Sequence, residues 1–134
     1  MAFVPMLTDA GGNAGAQSST MIIRGLSIGE VELSDYKKIF IKELGVSIIV
    51  GTVLAIVNFF RIILFNSGQV NMALTVSLSL IVTIMIAKSV GGLLPIIAKK
   101  AKLDPALMAS PIITTIVDTL SLLVYFFFIT KIML

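Results

Sequence analysis

The fold class this sequence predicts is all-α, a polytopic membrane bundle, and three observations predict it. Of its 134 residues, 57% are hydrophobic and only 13% charged, against about 45–50% and about 25% in an ordinary soluble domain. The apolar residues fall in runs long enough for spanning helices, which need ~20 residues to cross ~30 Å of hydrocarbon. The cations sit in short stretches between those runs, a pattern that sets membrane topology and argues against nucleic acid as a partner. A soluble chain this short could not cover so much apolar surface. With neither Cys nor His, thiol nucleophiles, disulfides, Cys/His zinc sites and imidazole acid–base chemistry are excluded. No nucleophile–base pair or cofactor motif is visible, so an enzyme is not expected.

In chain order, Met1–Gly25 comes first and carries Pro5, Asp9, Gly11, Gly12, Asn13, Gly15 and Gln17, too polar for lipid contact. At membrane depth such a segment must pack in protein or line water, because hydrocarbon offers no hydrogen-bond partners. It lacks the basic start and cleavage site of a signal peptide. We read it as a partial or broken span ending near Leu26. Arg24–Glu43 mixes Arg24, Lys37, Lys38 and Lys42 with Glu30, Glu32, Asp35 and Glu43. Within it, Ser34-Asp35 is a helix start, and Val31, Leu33, Tyr36, Phe40 and Ile41 suit a short interfacial helix running into the next span.

Leu44–Phe65 is apolar except for Ser47, Thr52, Asn58 and Arg61. Arg61, near the outer end, reads as a snorkelling anchor. Asn66–Asn71 holds no Lys or Arg. Met72–Ala98 is apolar with hydroxyls, one lysine and Gly91-Gly92-Leu93-Leu94-Pro95, where Pro95 kinks or ends the helix. Lys99–Asp104 holds Lys99, Lys100 and Lys102, and Asp104-Pro105 turns into a last helix. Pro111–Leu134 is apolar with Asp118 inside it.

Counting Lys and Arg places Arg24–Glu43 and Lys99–Asp104 in the cytoplasm and Asn66–Asn71 outside. About four crossings then put Met1 and Leu134 both outside. The simplest explanation of an external start without a signal sequence is that an earlier span, with or without soluble domains ahead of it, belongs to the same protein.

Asp118 is the sharpest chemical signal. A carboxylate in the middle of a spanning helix costs ~2.5 kcal/mol or more, and such residues face the bundle interior or a watery cavity. They mark ion paths or proton relays, although a protonated Asp can also serve as packing glue. Thr114 and Ser121, at i−4 and i+3, share its helix face. The second signal is Thr8–Thr20. Gly11, Gly12 and Gly15 permit close helix approach, while Asp9, Asn13, Gln17 and Ser18 supply oxygens suited to a pore lining. No Lys-Ser/Thr follows the glycines, so a phosphate loop is excluded.

One or two carboxylates with neutral oxygens suit a hard cation that keeps its water, as Mg²⁺ does, whereas a Ca²⁺ cage wants about six to eight oxygens. One Asp per chain, repeated by dimer symmetry, would hold such an ion through its water shell. Lys88 is the awkward residue, about 15 Å inside the span at ~1.5 Å per residue. It has three options: to snorkel, to pair with Asp118 or Asp9, or to repel cations.

Four stretches resemble the transmembrane domain of the MgtE magnesium channels, relatives of animal magnesium-transporting solute carriers. They are PMLTDAGGNAGAQSSTMIIRGL at Pro5–Leu26, KELGVSIIVG at Lys42–Gly51, GGLLPIIAKKAKLDPALMASP at Gly91–Pro111 and ITTIVDTLSLLVYF at Ile113–Phe126. They cover most of the chain in the family's order. The resemblance implies that residues 1–134 are one ion-conducting domain, showing about four of five spans, and that it works as a homodimer with the cation path at the subunit interface. The family's first span and its helical and CBS regulatory domains have no counterpart here, which would remove magnesium-dependent gating from this chain. It also implies that Asp118 holds hydrated Mg²⁺, that the Thr114 backbone carbonyl contributes, and that Asn13 faces the path. Lys88 departs from the family pattern, and its effect on conduction stays open.

The expected function is therefore a multi-pass magnesium channel pore in the cytoplasmic membrane, with lipid and a second copy as partners. Mn²⁺ and Co²⁺ remain open as cargo. The alternatives are a transporter exchanging a cation for H⁺ or Na⁺, and a non-conducting scaffold in which Asp118 and Lys88 pair.

Overall fold

The computed structural model describes residues 3–134, so the expected external position of Met1 lies outside the described residues. Among the described residues there are four long helices: α1 (Val4–Ser27), α2 (Tyr36–Phe65), α3 (Val70–Lys100) and α4 (Ser110–Phe128). A last π-helical turn, Ile129–Met133, extends α4.

The helix α1 runs unbroken for 24 residues, where a partial or broken span was expected. Pro5 sits in its first turn, where a missing N–H leaves no bond unmade. Gly11, Gly12 and Gly15 do not interrupt it, because each occupies a place where another helix comes close. All three are buried. Among the described residues, three helical stretches are long and apolar enough to cross a membrane: Leu33–Phe65, Val70–Lys100 and Pro111–Met133. The glycine-rich, polar α1 is not one of them.

A 3₁₀ turn, Leu33–Asp35, leads straight into α2, and Asp35 accepts a hydrogen bond from the Glu32 N–H at 2.9 Å. The interfacial helix and the span are thus one helix of 30 residues, or ~45 Å, longer than the hydrocarbon alone requires. Arg61 lies with its guanidinium 5.8 Å from the centre of the Phe3 ring. Gly68, at φ +70°, closes the turn between α2 and α3. Pro95 is buried within α3 and does not end it, since the helix runs on to Lys100. Asp104 caps the turn Pro105–Met108 by accepting from the Ala106 N–H at 3.0 Å.

The central helix is α3. Half of its most apolar window is buried, against 17% for α2 and 22% for α4. It packs on α2 along one side and on α1 and α4 along the other, and α1 also packs on α4. Leu7, Ile62, Leu80, Ile84, Ile113 and Val117 form the middle of the core. In lipid, tails are as apolar as Leu, so helices associate through close packing of small residues rather than through the hydrophobic effect. The contacts of Gly51 with the Ile81 backbone and of Gly91 with the Gly15 backbone supply such packing. Ile49, Val53, Phe60 and Leu64 of α2 and Leu123 and Phe127 of α4 point outward, as lipid-facing side chains do.

Candidate functional site

The site forms where α1 meets α4. At Gly12 a Cβ would lie 3.3 Å from Thr114 Cγ2 and 3.8 Å from Asp118 Oδ1. Its absence lets α4 present Asp118 against the α1 backbone. A cleft of about 680 Å³ opens there, lined by Thr8, Asp9, Gly12, Asn13, Thr114 and Asp118.

Asp118 is half-buried, and no donor among the described residues bonds its carboxylate. Across the cleft, the Asp9 carboxylate accepts a hydrogen bond from Asn13 Nδ2 at 3.2 Å. The Thr114 and Thr115 hydroxyls donate back to the Pro111 carbonyl at 3.1 and 2.8 Å, and Thr119 donates to the Thr115 carbonyl at 3.1 Å. Their oxygen lone pairs, and the second lone pair of the Thr114 backbone carbonyl, remain free to accept. Among the described residues, no group of three or more His, Cys, Asp or Glu side chains comes together. The cleft therefore offers sparse, separated oxygens, which suit the water shell of an ion rather than a bare one.

The structure sorts the expected pore residues into three places. Asp9, Asn13, Thr114 and Asp118 share the α1–α4 cleft. Gln17 lies in a second cleft of about 650 Å³ with Lys88, Val46 and Val50, and Asn13 lines both. Ser121 and Ser18 line neither. Ser121 is 1% exposed, donates to the Val117 carbonyl at 2.7 Å, and lies against Gly11 where α1, α3 and α4 meet. The shared helix face with Asp118 holds, but a turn further along that face is covered by other helices. Gly11 and Gly15 serve this same seam, since a Cβ on Gly15 would lie 2.9 Å from Ile113 and 3.1 Å from the Ala87 carbonyl.

Lys88 takes neither of the first two options expected of it. It is buried, so it does not snorkel, and it pairs with neither Asp118 nor Asp9. Its Nζ lies 3.7 Å from Glu43 Oε2 and donates to Ser18 Oγ at 3.2 Å. Ser18 Oγ in turn donates to Glu43 Oε2 at 2.6 Å. Gly92 makes the room, because a Cβ there would sit 3.1 Å from Glu43 Cγ. Sequence reasoning missed Glu43 by counting it among loop charges. The signal was present in its spacing. Ile39, Glu43, Ser47, Gly51 and Ala55 recur every fourth residue and are all buried, so Glu43 lies within the stripe that packs on α3.

The MgtE family model, described as a divalent cation transporter, matches residues 4–128. The chain is similar to the "Magnesium transporter MgtE" of Thermus thermophilus, at 34% identity over 123 residues, and of Bacillus subtilis, at 37% over 124. A third relative of the same name, from Enterococcus faecalis, is 29% identical over 126 residues. Each alignment covers 92% of this chain, which spans 27% of the length of these relatives.

Proposed function

Since the chain belongs to the MgtE family of divalent cation transporters, we propose that it forms the pore of a magnesium channel, in which two copies pass hydrated Mg²⁺ along their α1–α4 clefts. One observation carries this reading: Asp118 stands half-buried in a cleft, with no donor among the described residues on its carboxylate, beside the neutral oxygens of Asn13, Thr8 and Thr114. A carboxylate at membrane depth needs a cation or water to stabilise it. Lys88 does not fill that role, being held by Glu43. That pairing removes the main support for a scaffold built on Asp118 and Lys88.

Mg²⁺ gives up its waters reluctantly, so Asp118 and the Thr114 carbonyl would accept hydrogen bonds from the ion's water shell. A second Asp118 across a two-fold axis would complete the ring of acceptors. In the cytoplasmic membrane an inside-negative potential supplies ~2.3 kcal/mol per charge per 100 mV, about twice that for a divalent ion. Mn²⁺ and Co²⁺ carry the same charge and remain candidate cargo for the same cleft.

The test is Mg²⁺ uptake into liposomes under an imposed potential, with the intact chain and with Asp118→Ala. Loss of uptake by about tenfold or more is expected. Unchanged uptake overturns the role of Asp118. Uptake that follows a proton gradient rather than voltage overturns the channel and supports coupled exchange.

A further inference from the structure

The second cleft holds a contradiction for a cation path. Asn13 and Gln17 face into it from α1, yet Lys88 lines it from α3. Asn13 also lines the Asp118 cleft, so the cleft that Lys88 lines adjoins the proposed route. A fixed positive charge in a low-dielectric wall raises the barrier for every cation, and twice as much for a divalent one.

We propose that Glu43 cancels the charge of Lys88 beside the cation route, with Ser18 as the positioning residue that holds the two together. The inference rests on the channel reading above. Three helices contribute one residue each. Glu43 comes from α2, Lys88 from α3, and the Ser18 hydroxyl of α1 bridges them, receiving at 3.2 Å and donating at 2.6 Å. Glu43 and Lys88 are 7% and 6% exposed, so water contributes little to neutralising either. Glu43 also borders a cleft on the far side, with Arg24, Glu30 and Lys42. Lys88 thus lines one cleft and Glu43 the other, while their charged ends meet each other at 3.7 Å. Gly92 leaves the space that the Glu43 side chain occupies.

Charge cancellation and plain packing predict different signs. Glu43→Gln keeps the shape and can still accept from Ser18, but leaves the ammonium uncompensated. Mg²⁺ uptake into liposomes is expected to fall about tenfold. Lys88→Gln removes the repelling charge, and its uptake should equal or exceed that of the parent chain. The double variant buries no net charge and should return to within about twofold of the parent.

If Lys88→Gln loses as much uptake as Glu43→Gln, or a well-folded double variant stays as low as Glu43→Gln alone, the proposal is overturned. Thermal unfolding of each variant is read alongside. Should Glu43→Gln not fold, a folded double variant with parental uptake still supports cancellation, and one without uptake overturns it. A parent chain that carries no Mg²⁺, or that ignores Asp118→Ala, overturns the channel reading instead.

Discussion

The backbone carbonyl of Gly15 fills the space that a side chain on Gly91 would need. Here α1 and α3 touch backbone to backbone, with no side chain between them. The contact fixes how deep α1 sits in the bundle, and hence how Asp9 and Asn13 stand relative to Asp118.

Gly91→Ala should therefore destabilise the chain by about 1–3 kcal/mol, as overpacking against an immovable neighbour does. Gly45, also helical, has nothing within 4 Å of the point where a Cβ would stand. Gly45→Ala should be neutral or gain up to ~1 kcal/mol from helix propensity. Thermal unfolding of both variants in detergent checks this pair. Equal stability of the two would mean that the α1–α3 contact yields easily.

Gly12 makes the opposite case. An added methyl meets Thr114 at 3.3 Å and Asp118 Oδ1 at 3.8 Å, close enough to crowd the cleft but not to force the helices apart. Gly12→Ala should keep stability within about 1 kcal/mol while lowering Mg²⁺ uptake several-fold. Uptake at the parental level would show that the route does not pass between α1 and α4.

Asn13 should separate function from stability as well. Its bond to Asp9 is an exposed i, i+4 pair, of a kind that contributes ~0.2–0.5 kcal/mol. Asn13→Ala should leave the unfolding temperature nearly unchanged. Because Asn13 lines both clefts, uptake should fall clearly. A large loss of stability with unaltered uptake would assign Asn13 to packing.

How much of this was legible in the sequence follows from what each signal measures. Hydropathy runs placed the helices from Leu44, Met72 and Pro111 within a few residues of the observed spans, apart from the α2 start. There an amphipathic stretch and an apolar run share one continuous helix from Tyr36. Asp118 was legible because a carboxylate in an apolar run is costly wherever it points. Glycine was misleading in α1: the freedom that lets it break a helix is also what lets a second backbone approach, and only the packing partner decides. Ser18 and Ser121 were assigned by polarity, but a hydroxyl that bonds within the bundle can be buried at little cost. Lys88 announced that a counter-ion was needed without saying which, since Glu43 lies 45 positions earlier in the chain.

Thr83 gives a prediction of the opposite sign to most substitutions. It is 1% exposed, on the side of α3 that meets α1, and its Oγ1 has no hydrogen-bond partner among the described residues. An unsatisfied buried hydroxyl costs ~1–3 kcal/mol. Its methyl, in contrast, already packs toward Gly11. Thr83→Val exchanges the hydroxyl for a second methyl of nearly the same volume, and should stabilise the chain by about 1 kcal/mol. Ser77, on the same helix, donates to the Ala55 carbonyl of α2 at 3.1 Å. Bonds of this kind between membrane helices average ~0.6 kcal/mol, so Ser77→Ala should lower stability by about that amount. Thermal unfolding of the two variants side by side checks both signs. A destabilised Thr83→Val would mean that its hydroxyl is bonded in the assembled protein, to a water or to a second copy of the chain.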